Sequence, residues 1–308
     1  MTAAIQERLQ NDLEQAGYPA RIISATHLED LKQEISALLD SGTVQKSLYQ
    51  EGLDRWKYDY TSECPEAKSL IVVAMPQPII KIRLFWQGQR HDVIIPPTYN
   101  FKMDRQVIDL IETVLEPEGY QIKRAAVPQK LLAVRSGLSE YGRNNISYID
   151  GFGSYYRLLS FVSDIPCTQD SWHAAKVMQA CDNCQACIKS CPTQAINPER
   201  FVINIDKCLT FWNESDTMPD WVDRGSHNAL VGCLRCQKIC PQNIKHEQVV
   251  IMDQPFSEEE LALILDNTEM DQLPEKVVNA LKDLNLDYLY REKLLARNLS
   301  LLLDKDEQ

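Results

Sequence analysis

Apolar positions along the first half of the chain switch repeatedly between helical and strand spacing. Residues 3–15 form an amphipathic helical pattern, and Arg21–Thr26 predicts a short strand. His27–Leu39 returns to helical spacing, with Leu28, Leu31, Ile35 and Leu38 on one side. Ser69–Met75, apolar throughout from Leu70, predicts a buried strand that Pro76 and Pro78 stop. Lys81–Trp86 and His91–Ile95 alternate around Gln87-Gly88-Gln89-Arg90, which predicts a hairpin. Asp104–Leu115 predicts a helix and Gln121–Val127 a strand. Pro128 opens a further helix at its first turn, where a missing N–H costs nothing. Residues 136–157 are loop-rich. Towards the C-terminus, Ser257-Glu-Glu-Glu260 is a capping box ahead of Leu261–Leu265, and Leu294–Leu303 is a final apolar helix.

The expected fold class is therefore α+β. A mixed α/β domain over residues 1–165 precedes a ferredoxin-like segment over 166–250 and a helical tail over 251–308. Composition changes this picture little: 44% hydrophobic and 25% charged residues suffice for a real core in 308 residues. Charge adds more. The formal net charge is -12, and residues 253–308 hold fourteen acidic and six basic side chains, a balance of -8. Phosphates are repelled by such a chain, so nucleic acid is not expected as a partner. Lys123, Arg124, Lys130, Arg135 and Arg143 form a basic stretch, read first as a solvated face and second as a phosphate site. The N-terminus has no apolar signal, and the longest apolar run, Leu70–Met75, is too short to span a bilayer. The expectation is a cytoplasmic protein without membrane contact.

The cysteines carry the chemistry. The first run is Cys181-Asp-Asn-Cys184-Gln-Ala-Cys187-Ile-Lys-Ser-Cys191-Pro192. Cys208 stands alone, and the second run is Cys233-Leu-Arg-Cys236-Gln-Lys-Ile-Cys240-Pro241. A tight Cys-x2-Cys-x2-Cys loop wraps three corners of a [4Fe–4S] cube, while the cysteine before proline serves the other cluster. Cys181, Cys184, Cys187 and Cys240 are thus assigned to one cluster, and Cys191, Cys208, Cys233 and Cys236 to the second. Zinc spacing pairs Cys-x2-Cys with Cys-x2-Cys and leaves the triple repeat unexplained. Cys64 and Cys167 are left as ordinary packed side chains, and the five histidines show no ligand spacing. No dinucleotide or phosphate-binding glycine motif is present, so electrons are expected from an external carrier such as ferredoxin or flavodoxin.

Four of the eleven glycines fall in the loop-rich stretch, at 137, 142, 151 and 153. Ala133-Val-Arg-Ser-Gly137-Leu-Ser-Glu-Tyr-Gly142-Arg143-Asn144, Gly153-Ser154-Tyr155-Tyr156-Arg-Leu and Leu294-Leu-Ala-Arg297-Asn298-Leu299 resemble motifs of the epoxyqueuosine reductases. They also resemble those of the related corrinoid-dependent reductases, which include the reductive dehalogenases. The resemblance implies a base-off cobalamin near Gly137, Gly142, Arg143, Asn144, Gly153 and Ser154, fed by the two clusters. Ala125 stands near the position where epoxyqueuosine reductases carry a proton-donating aspartate, so Tyr141 and Tyr155 become the candidate catalytic donors, with Tyr156 beside them. On these departures the chain is set apart from epoxyqueuosine reductase itself. The leading expectation is a cobalamin-dependent iron–sulfur reductase of unidentified substrate. An electron-transfer protein that reduces the corrinoid of a partner corrinoid protein comes second, and tRNA epoxyqueuosine reduction last.

Overall fold

The computed structural model describes residues 2–44 and 55–304. Strands among them are β1 (Ala20–Ser24), β2 (Ser69–Pro76), β3 (Ile79–Trp86), β4 (Gln89–Ile95), β5 (Ile122–Arg124), β6 (Glu140–Tyr141), β7 (Ser147–Tyr148), β8 (Tyr156–Ser163) and β9 (Val249–Asp253). The chain divides into two compact units. One holds residues 1–76 and 103–184, the other 77–102 and 185–308.

In the first unit an antiparallel sheet runs β1-β2-β8-β5. Its central strand β2 is buried on both faces, which is why its sequence is continuously apolar. Leu70, Val72 and Ala74 point to one side, packing with Leu28 and Leu31 of helix His27–Asp40 and with Leu131, Leu132 and Val134 of helix Gln129–Arg135. Ile71, Val73 and Met75 point to the other, against Ile5, Leu9 and Leu13 of helix Thr2–Gln15 and Val107 and Ile111 of helix Asp104–Leu115. The period of two along one strand thus feeds two cores.

Two strands depart from the expectation. β8, the partner of β2 along its whole length, lies partly in the stretch read as loop. Its serines hide it: Ser160 Oγ donates to Ala125 O at 2.7 Å and Ser163 Oγ to Gln121 O at 2.8 Å, so these polar groups are satisfied inside the sheet. β5 is shorter than the predicted 121–127.

The second unit contains the sheet β4-β3-β9. The β3–β4 hairpin turns on Gln87 (φ 53°) and Gly88 (φ 75°), the doubly left-handed pair that a tight two-residue hairpin loop requires. β9 was not anticipated, since residues beyond 250 were read as helical; it pairs parallel to β3. Ile82, Leu84, Val93 and Ile95 of the hairpin pack with Leu230 and Val231 and with Leu261, Val277, Leu281, Leu295 and Leu299 from the C-terminal helices. The expected boundaries at 165 and 250 are corrected accordingly. The hairpin is an insertion in the first unit's sequence whose apolar face is buried in the second. The helical tail shares that same core instead of standing apart. The Ser257–Glu260 capping box forms, with Ser257 N donating to Glu260 Oε2 at 2.8 Å and Glu260 N to Ser257 Oγ at 3.2 Å. Among the described residues no helix is long and apolar enough to cross a membrane.

Candidate iron–sulfur centre

Local chain geometry explains where each cysteine stands. The short helix Ala186–Ser190 carries Cys187 and stops at Cys191, which adopts an extended conformation (φ -73°, ψ 111°). Pro192 disfavours helical angles in the residue before it, so Cys191 is turned out of the helix that bears Cys187. Cys208 is likewise extended (φ -77°, ψ 121°) and caps the helix Leu209–Asn213. Helix Arg235–Lys238 carries Cys236 and packs against helix 186–190.

Three thiols of the second assigned set, Cys191, Cys208 and Cys233, are neighbours. Cys208 and Cys191 each lie within electrostatic reach of Cys233. Burial, above all, pushes the Cys208 and Cys233 thiols up, and these neighbours push further. A bound iron cluster reverses that preference by taking thiolates as ligands. Donors already point at the sulfurs. Asn228 Nδ2 lies 3.2 Å from Cys233 Sγ and Ala195 N lies 3.3 Å from Cys191 Sγ. Cys208 receives the backbone N–H groups of Thr210 and Phe211. Such hydrogen bonds stabilise thiolate charge and tune a cluster's potential. Among the described residues no three His, Cys, Asp or Glu side chains gather as ligands of a single metal ion. The assignment therefore rests on cysteine spacing and these pairwise approaches.

A polar clamp, which the sequence reading missed, supports the same loops. Asn298, fully buried on helix Leu294–Leu303, donates through Nδ2 to Asn213 O and Leu230 O, both at 2.9 Å. Arg297 reaches Ser215 O at 2.6 Å, and Trp212 O and Asn213 O at 3.2 Å. Asn213 Nδ2 closes the set on Gly232 O at 2.7 Å. The loops that carry Cys208 and Cys233 are thus tied to one helix. The signal in the sequence was the Arg-Asn pair inside an otherwise apolar helix.

The residues expected at the cobalamin site come together around β6 and β7 in the first unit, but several serve their own turn. A Cβ on Gly142 would meet the Tyr148 ring at 2.5 Å. Asn144, buried, donates to Tyr148 Oη at 3.0 Å and accepts from Ile146 N at 3.2 Å. Gly153 (φ 65°) and Ser154 are inside. Gly137 (φ 74°) is exposed, and a Cβ there would lie 3.1 Å from the His173 ring. Arg143 donates through Nη2 to Cys181 O at 2.9 Å, while its buried Nε finds no hydrogen-bond partner. Arg143 therefore braces the first cysteine run.

Tyr141, Tyr155 and Tyr156 are packed in the interior, at 9%, 4% and 4% exposure. Burial pushes the phenols of Tyr141 and Tyr156 well up, which makes them reluctant proton donors. Ala125 is also buried, its N–H given to Ser160 O at 2.8 Å. The basic stretch is largely committed inside the unit. Arg124 pairs with Asp104, Arg135 with Glu34, Arg143 with Cys181, and Lys130 donates to Asn145 O. It is not a ready phosphate site. Cys64 is a core residue and Cys167 is half-buried, and both line a cleft of about 620 Å³.

Fold and cysteine site together define an iron–sulfur protein. Residues 180–243 match the family model of the 4Fe-4S double cluster binding domain. The wider chain is similar to epoxyqueuosine reductases. It is 24% identical to that of Atelocyanobacterium thalassa (isolate ALOHA) over 293 residues, which is 88% of this chain and 90% of the relative. It is 29% identical to that of Synechocystis sp. over 171 residues, 54% of this chain and 55% of the relative. The chain spans about half the length of the first curated relatives it matches. A crystal structure of epoxyqueuosine reductase with an epoxyqueuosine-modified tRNA stem loop shares the fold, with a TM-score of 0.68 at 20% identity over 99% of this chain and 82% of that one.

These relatives overturn the leading expectation. Neither a reductase of unidentified substrate nor a corrinoid-activating carrier is what the similar proteins are. These similarities leave no ground for setting the chain apart from the epoxyqueuosine reductases, or for excluding nucleic acid as a partner. Net charge is a sum over the molecule, whereas binding depends on the local field, so overall acidity does not exclude a nucleic-acid substrate. Two thirds of the excess sits beyond residue 252.

Proposed function

We propose that this chain is an oxidoreductase of the epoxyqueuosine reductase type, which removes the epoxide oxygen of epoxyqueuosine in tRNA. The observation that carries this reading is the 293-residue similarity to an epoxyqueuosine reductase, running through both units and the double-cluster segment. The reaction takes up two electrons and two protons, releases the epoxide oxygen as water and leaves a carbon–carbon double bond. When bound, the two [4Fe–4S] clusters supply single electrons at low potential. An external carrier such as ferredoxin or flavodoxin feeds them. Cys181, Cys184, Cys187 and Cys240 hold one cluster, and Cys191, Cys208, Cys233 and Cys236 hold the other. Asn228 and the backbone donors around Cys191 and Cys208 orient and stabilise the thiolates.

The family resemblance also brings a corrinoid, whose chemistry when bound is that of a strongly reducing cobalt centre. Of the six residues first considered, Gly137 and Arg143 fit such a group best. Gly137 is open to solvent with no side chain, and Arg143 has an unmet donor. Gly142, Asn144, Gly153 and Ser154 shape the turn that presents them.

The test uses full-length protein with both clusters reconstituted anaerobically, reduced methyl viologen and tRNA carrying epoxyqueuosine, with and without added cobalamin. Nucleoside mass spectrometry should show loss of one oxygen. An untouched epoxide in both arms, with iron analysis showing both clusters loaded, would falsify the reading.

A further inference from the structure

The second unit holds a cleft of about 540 Å³ lined by Pro192, Thr193, Asn204, Asp206, Lys207 and Trp221, among others. Pro192 directly follows Cys191 and Lys207 directly precedes Cys208, so a group in the cleft lies one residue away from two assigned ligands of the second cluster. Trp221 is 52% exposed, unusual for so large an apolar ring. Its ring stands perpendicular to that of Trp212, at 6.4 Å between centroids and 83° between planes. Trp212 is fixed in turn by its indole N–H, which donates to Asp206 O at 2.7 Å. A half-exposed indole in the lining of a cleft is a platform for a flat conjugated ring. The charge of the lining selects among such rings. Asp206 and Asp223 outnumber Lys207, so a phosphate is disfavoured in the cleft while an uncharged ring is not.

We propose that this cleft receives the isoalloxazine ring of a flavin and is where electrons reach the second cluster. The proposal rests on the reductase reading above only for the direction of electron flow. A fully reduced flavin gives up two electrons and two protons. The electrons pass one to each [4Fe–4S] cluster, lowering each from the 2+ to the 1+ state, and the protons go to water. The size suits a ring of this class, since pockets for small molecules span about 300–1,000 Å³. The ring reaches the cleft either as a free flavin or as the exposed edge of a flavodoxin-bound one.

Equilibrium dialysis of cluster-loaded protein against riboflavin and against FMN tests the site without any turnover. Riboflavin, lacking the phosphate, should bind at least as tightly as FMN. Trp221→Ala should weaken both by about tenfold or more, and Trp221→Phe should retain most of the binding. Equal binding by Trp221→Ala, or displacement of riboflavin by an RNA stem loop at matching concentration, overturns the proposal. Stopped-flow bleaching of the clusters then separates the sources. Slowing of Trp221→Ala with reduced flavodoxin supports the protein-borne ring, and slowing with reduced FMN alone supports the free one. No slowing with either refutes the role. Dithionite reduction and iron content should match the unaltered protein throughout, and neither depends on whether epoxyqueuosine is the substrate.

Discussion

Asn298→Ala tests the polar clamp most directly. The side chain is fully buried and makes two donations at 2.9 Å, to Asn213 O and Leu230 O, while Oδ1 accepts from Arg297 Nε at 3.1 Å. Asn213 O keeps a donor after the change, because Arg297 Nη2 also reaches it at 3.2 Å. Leu230 O loses the Asn298 donation. A buried acceptor left unmet costs about 1–3 kcal/mol, and the space vacated by the amide adds a smaller packing loss, so about 2–4 kcal/mol is expected. For a cooperative unit of roughly 150 residues, that corresponds to a fall in melting temperature of roughly 5–15 °C. Function should suffer with stability. Asn213 ends the helix that Cys208 caps, and Leu230 lies three residues before Cys233. The assay is anaerobic thermal denaturation of cluster-loaded protein, paired with iron analysis. Asn298→Asp is the control: it keeps the shape but turns a carboxylate oxygen towards two carbonyls, so it should do no better than alanine. A melting temperature within a degree or two of the unaltered protein, or a stable aspartate variant, would refute the reasoning.

Cys208→Ala should remove one cluster and spare the other, taking iron from about eight to about four per chain; unchanged iron would sink its ligand role. Alkaline pH should expose the buried tyrosines. Phenols of Tyr141 and Tyr156 are pushed up by burial from their ordinary value of 10, so they ionise near pH 10 in the unfolded chain and not in the fold. Their contribution to stability is therefore whole below pH 10 and is lost as pH rises above it. Denaturation midpoints should fall between pH 9 and 11, and Tyr141→Phe with Tyr156→Phe should restore part of the fall, the rest coming from phenols such as Tyr99 and Tyr288 that burial also pushes up; a flat profile would count against their burial.

Much of this protein was legible from short-range pattern. The two prolines after Cys191 and Cys240, the Gln87-Gly88 turn and the Ser257–Glu260 box each draw on a few adjacent residues, and local sterics and hydrogen bonding decide them. The helix Leu294–Leu303 was also set by its own apolar run. The eight cysteines fixed the class of chemistry, because a cluster's geometry limits the spacing of its ligands.

Tertiary structure decided what depends on residues far apart. β8 earns its central place only because β2 and β5 flank it, and its serines look polar until Ala125 O and Gln121 O arrive from β5 and its surroundings. The β3–β4 hairpin follows the first unit's β2 in sequence, yet its apolar face is buried by helices almost two hundred residues later. The Arg297–Asn298 clamp and the Trp212–Trp221 wall likewise exist only once distant segments meet. Sequence alone determined which groups could bind iron. Which loops hold those groups in place, and where the second cluster's surroundings open to a ring, were set by long-range packing, because such contacts leave no local period to read.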